Sequence, residues 1–271
     1  MTYQYISLTI TDKIAVLTLN APEVLNALSG PMIEELSAAI SEAASPDSGA
    51  RCLVMTGEGR AFCAGANLQA RGKPGVATPG VATPGAMPPA GHVLETHYNP
   101  VMNKIRQLPF PFVSAINGPA VGVGMSLAIM ADMVVAAKSA YFLQAFANIG
   151  LVPDGGATWY LPRMIGWSRA MELSLMAERL PAEKALEWGL INRVVEDAEL
   201  MPEAMKIAAK LANGPMSLGL IRKAYWDTQE NSFSQQLQLE AELQMKAGAS
   251  LDNREGIQAF LEKRPAKFEG H

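Results

Sequence analysis

The sequence predicts an α/β protein with mainly parallel strands, followed by an all-helical C-terminal region. Short apolar runs rich in β-branched residues recur in the first part of the chain, and helical patterns separate them. That alternation is typical of β-α units with parallel pairing. Beyond about Asp197 the strand patterns stop and the apolar periodicity becomes helical. We therefore expect two regions, an α/β core over residues 1–197 and a helical region over residues 198–271.

The strands of this core are predicted from four short apolar segments. They are Lys13–Leu19, Cys52–Gly57, Pro111–Ile116 and Asp132–Ala137. Their shortness and β-branched content favour strands over buried helices.

The first helix is predicted between the first two strands. Ser29 is placed to act as its N-cap, and Pro31 lies in its first turn. Ile33, Leu36 and Ile40 then recur at helical spacing. Further helices are predicted near Asn99–Leu108, over Met125–Met130, Ser168–Ala177 and Pro181–Trp188, and in the C-terminal region over Leu200–Asn213, Ser217–Gln229 and Ser232–Ala249.

The segment Lys73–His92 is of low complexity, with the pentapeptide PGVAT repeated in it. Proline and glycine at this density prevent a helix or a central strand. We expect a long mobile loop here, of the kind that forms a lid or a disordered insertion.

Composition excludes several classes of protein. The chain is 49% hydrophobic and 18% charged, as expected of a globular protein, and its net charge of −4 with no basic run argues against nucleic-acid binding. The N-terminus lacks a secretory pattern, and no window has the roughly 18 apolar residues of a membrane span. Cys52 and Cys63 form neither a metal-spaced cluster nor a disulfide framework. We expect a cytoplasmic protein without metal or membrane segment.

The histidines argue against hydrolase chemistry. His92 and His97 lie in or just after the proline-rich segment, and His271 is the last residue. None follows a predicted strand, where a rigid scaffold would hold a base, and no G-x-S-x-G motif occurs.

Two glycine-containing turns are candidates for binding through backbone N–H groups. Residues 122–127 open a helix after a strand but lack the third glycine of a dinucleotide-binding loop. The same geometry aims N–H groups at a developing oxyanion, and the turn at residues 63–66 offers a second donor. The alternative is that both are only tight turns, which composition alone leaves open.

Four motifs have a recognisable order and spacing: GEGRAFCAGANL, INGPAVGVGMSLAIMADMVVAA, FANIGLVPDGGATWYLPRMIG and ALEWGLINRVV. By these motifs the chain resembles the enoyl-CoA hydratase/isomerase (crotonase) superfamily over nearly its whole length. The resemblance implies a spiral of β-β-α repeats that forms two sheets, with helical C-terminal regions that build trimers or dimers of trimers. It also implies an acyl-CoA thioester substrate, with coenzyme A as part of that substrate and no permanently bound cofactor.

By motif position, the resemblance assigns the oxyanion-binding N–H groups to Ala66 and Val123. The residues that it places at the substrate or CoA are Val24, Leu25, Ala64, Asn67, Leu68, Gln69, Gly122, Phe146, Lys267 and Phe268, of which Lys267 and Phe268 sometimes reach the CoA of a neighbouring subunit. The segment between residues 70 and 101 would cover the acyl pocket.

The chain departs from the hydratase pattern at both catalytic glutamates. The matching positions carry Ser126 and Phe146, and neither can act as acid or base at neutral pH. Adding water to an enoyl thioester needs a base for the water and an acid for the carbon. The usual hydratase route is therefore not expected.

Asp154, in the segment GLVPDGG, is the remaining candidate acid/base. By residue type it is an ordinary turn residue, but its position resembles that of the acid in isomerase branches, in particular the ring-1,2-epoxyphenylacetyl-CoA isomerase branch. We expect an acyl-CoA isomerase with Asp154 as sole acid/base. The alternatives are an atypical hydratase, a dehalogenase-like enzyme that uses Asp154 covalently, and a catalytically silent acyl-CoA-binding homologue.

The other polar candidates near Asp154 have weaker interpretations. Asn148 is expected to bind substrate, orient Asp154 or cap a turn, and Asn67 to form a local turn bond or touch the ligand. Ser126 is expected to be a small packing residue, and Trp159 and Tyr160 to form pocket wall or core.

Overall fold

The computed structural model describes residues 2–68 and 90–271. In these residues nine strands are present: β1 (Ile6–Thr11), β2 (Ile14–Leu19), β3 (Cys52–Gly57), β4 (Phe112–Ile116), β5 (Ala120–Val121), β6 (Met133–Ala137), β7 (Tyr141–Leu143), β8 (Leu180–Pro181) and β9 (Arg193–Val195). They form a six-stranded sheet in the order β1-β2-β3-β4-β6-β9 and a three-stranded sheet in the order β5-β7-β8.

Parallel pairing dominates the larger sheet, as predicted. Only the β1–β2 pair is antiparallel among its described strands. The four predicted strands are confirmed, each to within one residue at its N-terminal end. The strands of the second sheet have only two or three residues, too few to show a period, and were not predicted.

The helices in the described residues are α1 (Gly30–Ala44), α2 (Ala90–Val93), α3 (Asn99–Arg106), α4 (Val123–Ile129), α5 (Ala157–Ile165), α6 (Trp167–Met176), α7 (Ala182–Glu187), α8 (Leu200–Ala212), α9 (Ser217–Asp227), α10 (Phe233–Gly248) and α11 (Leu251–Glu262). A π-helical turn, Leu94–Tyr98, joins α2 to α3. The predicted helices are confirmed, and Ser29 caps α1 by accepting a hydrogen bond from the Met32 N–H. Helix α5 was not predicted, because glycines precede it and Pro162 lies within it. Helices α11 and α2 were not predicted either, and α2 begins within the segment that was expected to be a loop.

The core lies on the central strands of the larger sheet. Every residue of β3 and β4 is buried, and α8 packs on both strands. Because β2, β3 and β4 are parallel, their carboxyl ends lie at one edge of the sheet. The loops that follow these three strands therefore start side by side, and they carry most of the predicted site residues.

An ion pair between a buried arginine and a partly exposed aspartate joins the helical C-terminal region to the core. The Arg222 guanidinium in α9 is 2.8 Å from a carboxylate oxygen of Asp132, which precedes β6. Its other N–H groups donate to the carbonyls of Ile105, Arg106 and Leu108 at the end of α3. One side chain thus satisfies four acceptors and fixes α9 against the end of α3 and the start of β6.

We expect Arg222→Met to lower the free energy of unfolding by about 3 kcal/mol, because it leaves the three carbonyls at the end of α3 without a donor and the Asp132 carboxylate without its cation. The neighbouring Lys223→Met variant is the matched control, since Lys223 pairs with Asp227 at the surface, where such pairs contribute about 0–1 kcal/mol. Urea denaturation measures both variants. Equal losses in the two would contradict this account of α9.

Candidate active site

The first predicted oxyanion donor lies where two of these loops pair. The Leu28 N–H donates to the Gly65 carbonyl at 2.7 Å, and the Asn67 N–H donates to the Leu28 carbonyl at 2.9 Å. In this parallel bridge the peptide groups on either side of Ala66 face Leu28. The Gly65 carbonyl and the Ala66 N–H belong to one trans peptide unit and point in opposite directions, so the Ala66 N–H points away from Leu28.

The second donor is held against the first by close backbone packing. The Val121 N–H donates to the Cys63 carbonyl at 2.9 Å, and the Cys63 N–H to the Pro119 carbonyl at 3.1 Å. Gly65 has φ +96°, and a Cβ there would lie 2.9 Å from the Val121 carbonyl oxygen. A Cβ at Gly124 would overlap the Cys63 backbone and sulfur. Both turns therefore require glycine, and they touch each other.

Val123 is the first residue of α4, so its N–H has no partner within the helix. The preceding residue, Gly122, has φ +54° and gives its own N–H to the Leu143 carbonyl at 2.8 Å. Gly122 is therefore a backbone pivot that turns the chain into α4. Val123, at the helix start, retains the donor that the sequence motif indicates.

Two asparagines that the sequence analysis did not single out hold these loops together. Asn26 is fully buried, accepts from the Ala21 N–H and donates to the carbonyls of Glu58 and Ala61. Asn117 donates to the Gly59 and Ala61 carbonyls and accepts from the Gly57 N–H. Asn117 directly follows β4 and Asn26 lies in the loop after β2. An asparagine at either position is also the signal of an ordinary turn.

Asp154 lies in the turn that leads into α5. Its carbonyl accepts hydrogen bonds from the Ser126 hydroxyl at 2.9 Å and from the Ala157 N–H at 3.1 Å. The side chain is half-buried, with its Oδ1 atom inaccessible. Gly155 and Gly156 follow with φ +60° and +83°, so the proline-glycine turn predicted here is present and positions the acid's backbone.

The residues at the two glutamate positions are buried and cannot ionise. Ser126 is 0% exposed and Phe146 6% exposed. The Phe146 ring lies 3.7 Å from where a Gly122 Cβ would be, beside the Val123 turn. Burial raises the pKa of the neighbouring Cys63 thiol to about 12, which keeps it neutral. Asp154 is therefore the acid that the described residues place against α4.

A cavity of about 360 Å³ borders the two glycines that follow Asp154. Met102 of α3, Tyr160 and Trp159 of α5, and Trp226 of α9 contribute to its wall. The two tryptophan rings stack with centroids 5.9 Å apart, and Tyr160 meets both edge-on. Trp159 and Tyr160 are thus both pocket wall and packing, as the sequence analysis expected.

The predicted CoA-contacting residues fall into two groups. The Ala64 N–H donates to the Leu25 carbonyl at 3.0 Å, which places Val24, Leu25, Ala64 and Asn67 around the Ala66 turn. Leu68 beside them is 48% exposed. Gln69 and most of the proline-rich segment lie outside the described residues.

Lys267 and Phe268 form the second group, in the C-terminal tail. The Lys267 N–H donates to the Glu255 carboxylate at 2.8 Å, and the Phe268 ring lies over Gly256. Both contacts are with α11. Within one chain, these contacts tie the two residues to the helical C-terminal region.

The Asn148 side chain forms its hydrogen bond with a residue other than Asp154. Its Nδ2 donates to the Ala177 carbonyl at 3.4 Å, at the end of α6. This is a capping contact, the less specific of the roles that the sequence allowed.

No group of three or more His, Cys, Asp or Glu side chains in residues 2–68 and 90–271 is arranged to hold a metal ion. In the same residues no helix combines the length and the apolar character needed to span a membrane.

Comparison with known proteins gives consistent matches over the whole chain. A family model described as "Enoyl-CoA hydratase/isomerase" matches residues 9–271. A Rhodobacter capsulatus protein named "Probable enoyl-CoA hydratase" is 43% identical over 271 residues, 100% of each chain. The "1,2-epoxyphenylacetyl-CoA isomerase" of Escherichia coli is 42% identical over 255 residues, 94% of each chain. The crystal structure of an enoyl-CoA hydratase from Bacillus anthracis superposes with a TM-score of 0.88 at 31% identity, covering 99% of this chain and 100% of that one.

Proposed function

Because the chain belongs to the enoyl-CoA hydratase/isomerase family, we propose that it is an acyl-CoA isomerase with Asp154 as its sole acid/base. The observation that carries the proposal is the pairing of two oxyanion turns with one acid, at a site where both glutamate positions hold Ser126 and Phe146. One carboxylate and two N–H donors suffice for a 1,3-proton shift.

The proposed reaction moves one proton and one double bond. With a 3-enoyl-CoA, the Asp154 carboxylate takes a proton from C2, and the electron pair moves into the thioester to form an enolate. The N–H groups of Ala66 and Val123 stabilise the enolate oxygen, because they point at it before the charge develops. Protonated Asp154 then returns the proton to C4, the double bond moves to C2–C3, and the carboxylate is regenerated.

Hydration is disfavoured because it needs two proton-transfer groups in place at once. Ser126 and Phe146 supply neither, and Phe146 fills space beside the Val123 turn with an apolar ring. An atypical hydratase remains the alternative, favoured by the name of the Rhodobacter relative.

We assign the CoA arm to the residues around the Ala66 turn, namely Val24, Leu25, Ala64, Asn67 and Leu68. The division into a core of residues 1–197 and a helical region of residues 198–271 is part of the same proposal, with the second region as the site of self-association. Exposed apolar side chains there support it, since Phe233, Met245 and Phe260 are 78%, 69% and 82% exposed. In a trimer, Lys267 and Phe268 would approach the CoA of a neighbour.

We place the distal part of the acyl group in the cavity beside Gly155, and expect Met102→Trp to fill part of it. Met102 is 8% exposed and lies against Gly155, so a larger side chain displaces acyl volume there. The kcat/KM for long or ring-bearing acyl thioesters should fall about tenfold or more, as expected from losing a few methylene-sized contacts. Short-chain thioesters are the internal control, and an equal fall for both classes would remove the cavity from the acyl path.

The function is tested by comparing two reactions of the purified protein. In D2O, straight-chain 3-enoyl-CoAs should isomerise with deuterium appearing at C2 and C4, while 2-enoyl-CoAs should gain water slowly or not at all. Hydration faster than isomerisation would favour the hydratase alternative. Binding without exchange would favour a silent acyl-CoA-binding homologue, and a covalent adduct on Asp154 would favour dehalogenase-like chemistry.

A further inference from the structure

Ser126 connects the two halves of the candidate site. It lies on α4, one turn after the Val123 donor, and it is fully buried. A serine within a helix commonly bonds its own i−4 carbonyl, and that carbonyl, of Gly122, is 3.4 Å from the Ser126 Oγ. The shorter contact is the 2.9 Å hydrogen bond to the Asp154 carbonyl, 28 residues away in the chain.

Packing reinforces that hydrogen bond. A Cβ at Gly155 would lie 2.8 Å from the Ser126 Cβ, so the backbone beside the acid rests directly on the serine. The same Asp154 carbonyl also accepts a hydrogen bond from the Ala157 N–H at the start of α5. The acid's main chain is therefore held between the oxyanion helix and α5.

We infer that Ser126 is a positioning residue, which sets the location of the Asp154 carboxylate relative to the Val123 N–H. Both groups must contact one small substrate: the Val123 N–H at the oxyanion, and the Asp154 carboxylate at C2 and C4. Errors of about 1 Å in such a geometry can cost about 10²-fold in rate. The inference rests on the proposed function and adds a role to a residue that otherwise only fills space.

The test is Ser126→Ala, which removes the hydroxyl and leaves the volume almost unchanged. We expect kcat for 3-enoyl-CoA isomerisation to fall about 10- to 100-fold with KM unchanged, because the acid is displaced while the CoA contacts remain. Ser114→Ala is the matched control. Ser114 is also 0% exposed, lies in β4, and its hydroxyl has no hydrogen-bond partner among the described residues, so its removal should leave kcat unchanged.

A double-mutant cycle separates positioning from general loosening. In an Asp154→Asn background, Ser126→Ala should cause no further loss in kcat, because the serine acts through the acid. The same fold-loss in both backgrounds, or a wild-type kcat in Ser126→Ala, overturns the inference. If the alanine variant fails to fold, Ser126→Cys keeps the volume and only weakens the donor, and the same cycle applies to it. Wild-type turnover of Asp154→Asn itself would instead overturn the proposed function.

Discussion

Replacing Asp154 by asparagine should lower isomerase turnover by about 10²–10⁴-fold, the range typical of losing a general acid/base. Asparagine keeps the size and the hydrogen-bonding capacity of the side chain but cannot accept a proton from carbon at neutral pH. The main-chain bonds of Asp154 to Ser126 and Ala157 do not involve the carboxylate, so the turn should persist. We therefore expect kcat to fall while the affinity for a CoA ester stays within a few-fold.

Steady-state kinetics and a direct binding titration measure these two quantities. Deuterium exchange at C2 and C4 should disappear together in this variant, since one carboxylate serves both carbons. Asp12→Asn is a suitable control, because Asp12 is an exposed acid in the β1–β2 turn. Turnover that survives in Asp154→Asn, or loss of exchange at only one carbon, would rule out a single acid/base.

Removing one oxyanion donor should cost about 10²–10³-fold in kcat. Val123→Pro does this directly, because proline has no N–H and is well tolerated at the first position of a helix. The preceding residue is Gly122, which has no Cβ to clash with the proline ring. The proline ring also enters the space of the enolate oxygen, so the loss should lie at the upper end of that range.

Val123→Ala is the matched variant, since it shortens a buried side chain and keeps the N–H. It should retain most of the turnover and lose stability by about 0.5–1.5 kcal/mol or somewhat more. Kinetics and thermal unfolding of both variants give the comparison. If proline and alanine reduce kcat equally, the Val123 N–H is not an oxyanion donor.

Four of the six strands of the larger sheet could be predicted from the sequence, whereas β1 and the three-residue β9 were not predicted. Cys52–Gly57 and Phe112–Ile116 are mostly apolar segments, and local composition marks them as buried strands. The turns at residues 63–66 and 122–124 were also predictable, because glycine at 65, 122 and 124 is a local signal. The contacts of these glycines could not be predicted, because the contact between Gly124 and Cys63, for example, joins residues 61 positions apart in the chain.

Other parts of the site depend on contacts between distant residues. Asn26 satisfies carbonyls more than 30 positions away, and nothing in its own neighbourhood distinguishes it from a turn asparagine. Ser126 was expected to be a packing residue, and it is buried as expected, but its bond to Asp154 depends on how α4 and α5 meet. The two-residue strands of the second sheet exist only through their pairing partners.

The contact between Ser126 and Gly155 also limits which substitutions position 126 can accept. A glutamate at 126 would need room for three more heavy side-chain atoms where Gly155 now rests on the serine Cβ. Position 155 is already the smallest residue and has a positive φ, so it cannot yield further space by substitution. A glutamate at 126 therefore requires moving the Asp154 turn, and with it the acid of the proposed isomerase. Such a change of backbone cannot come from a single substitution at 126.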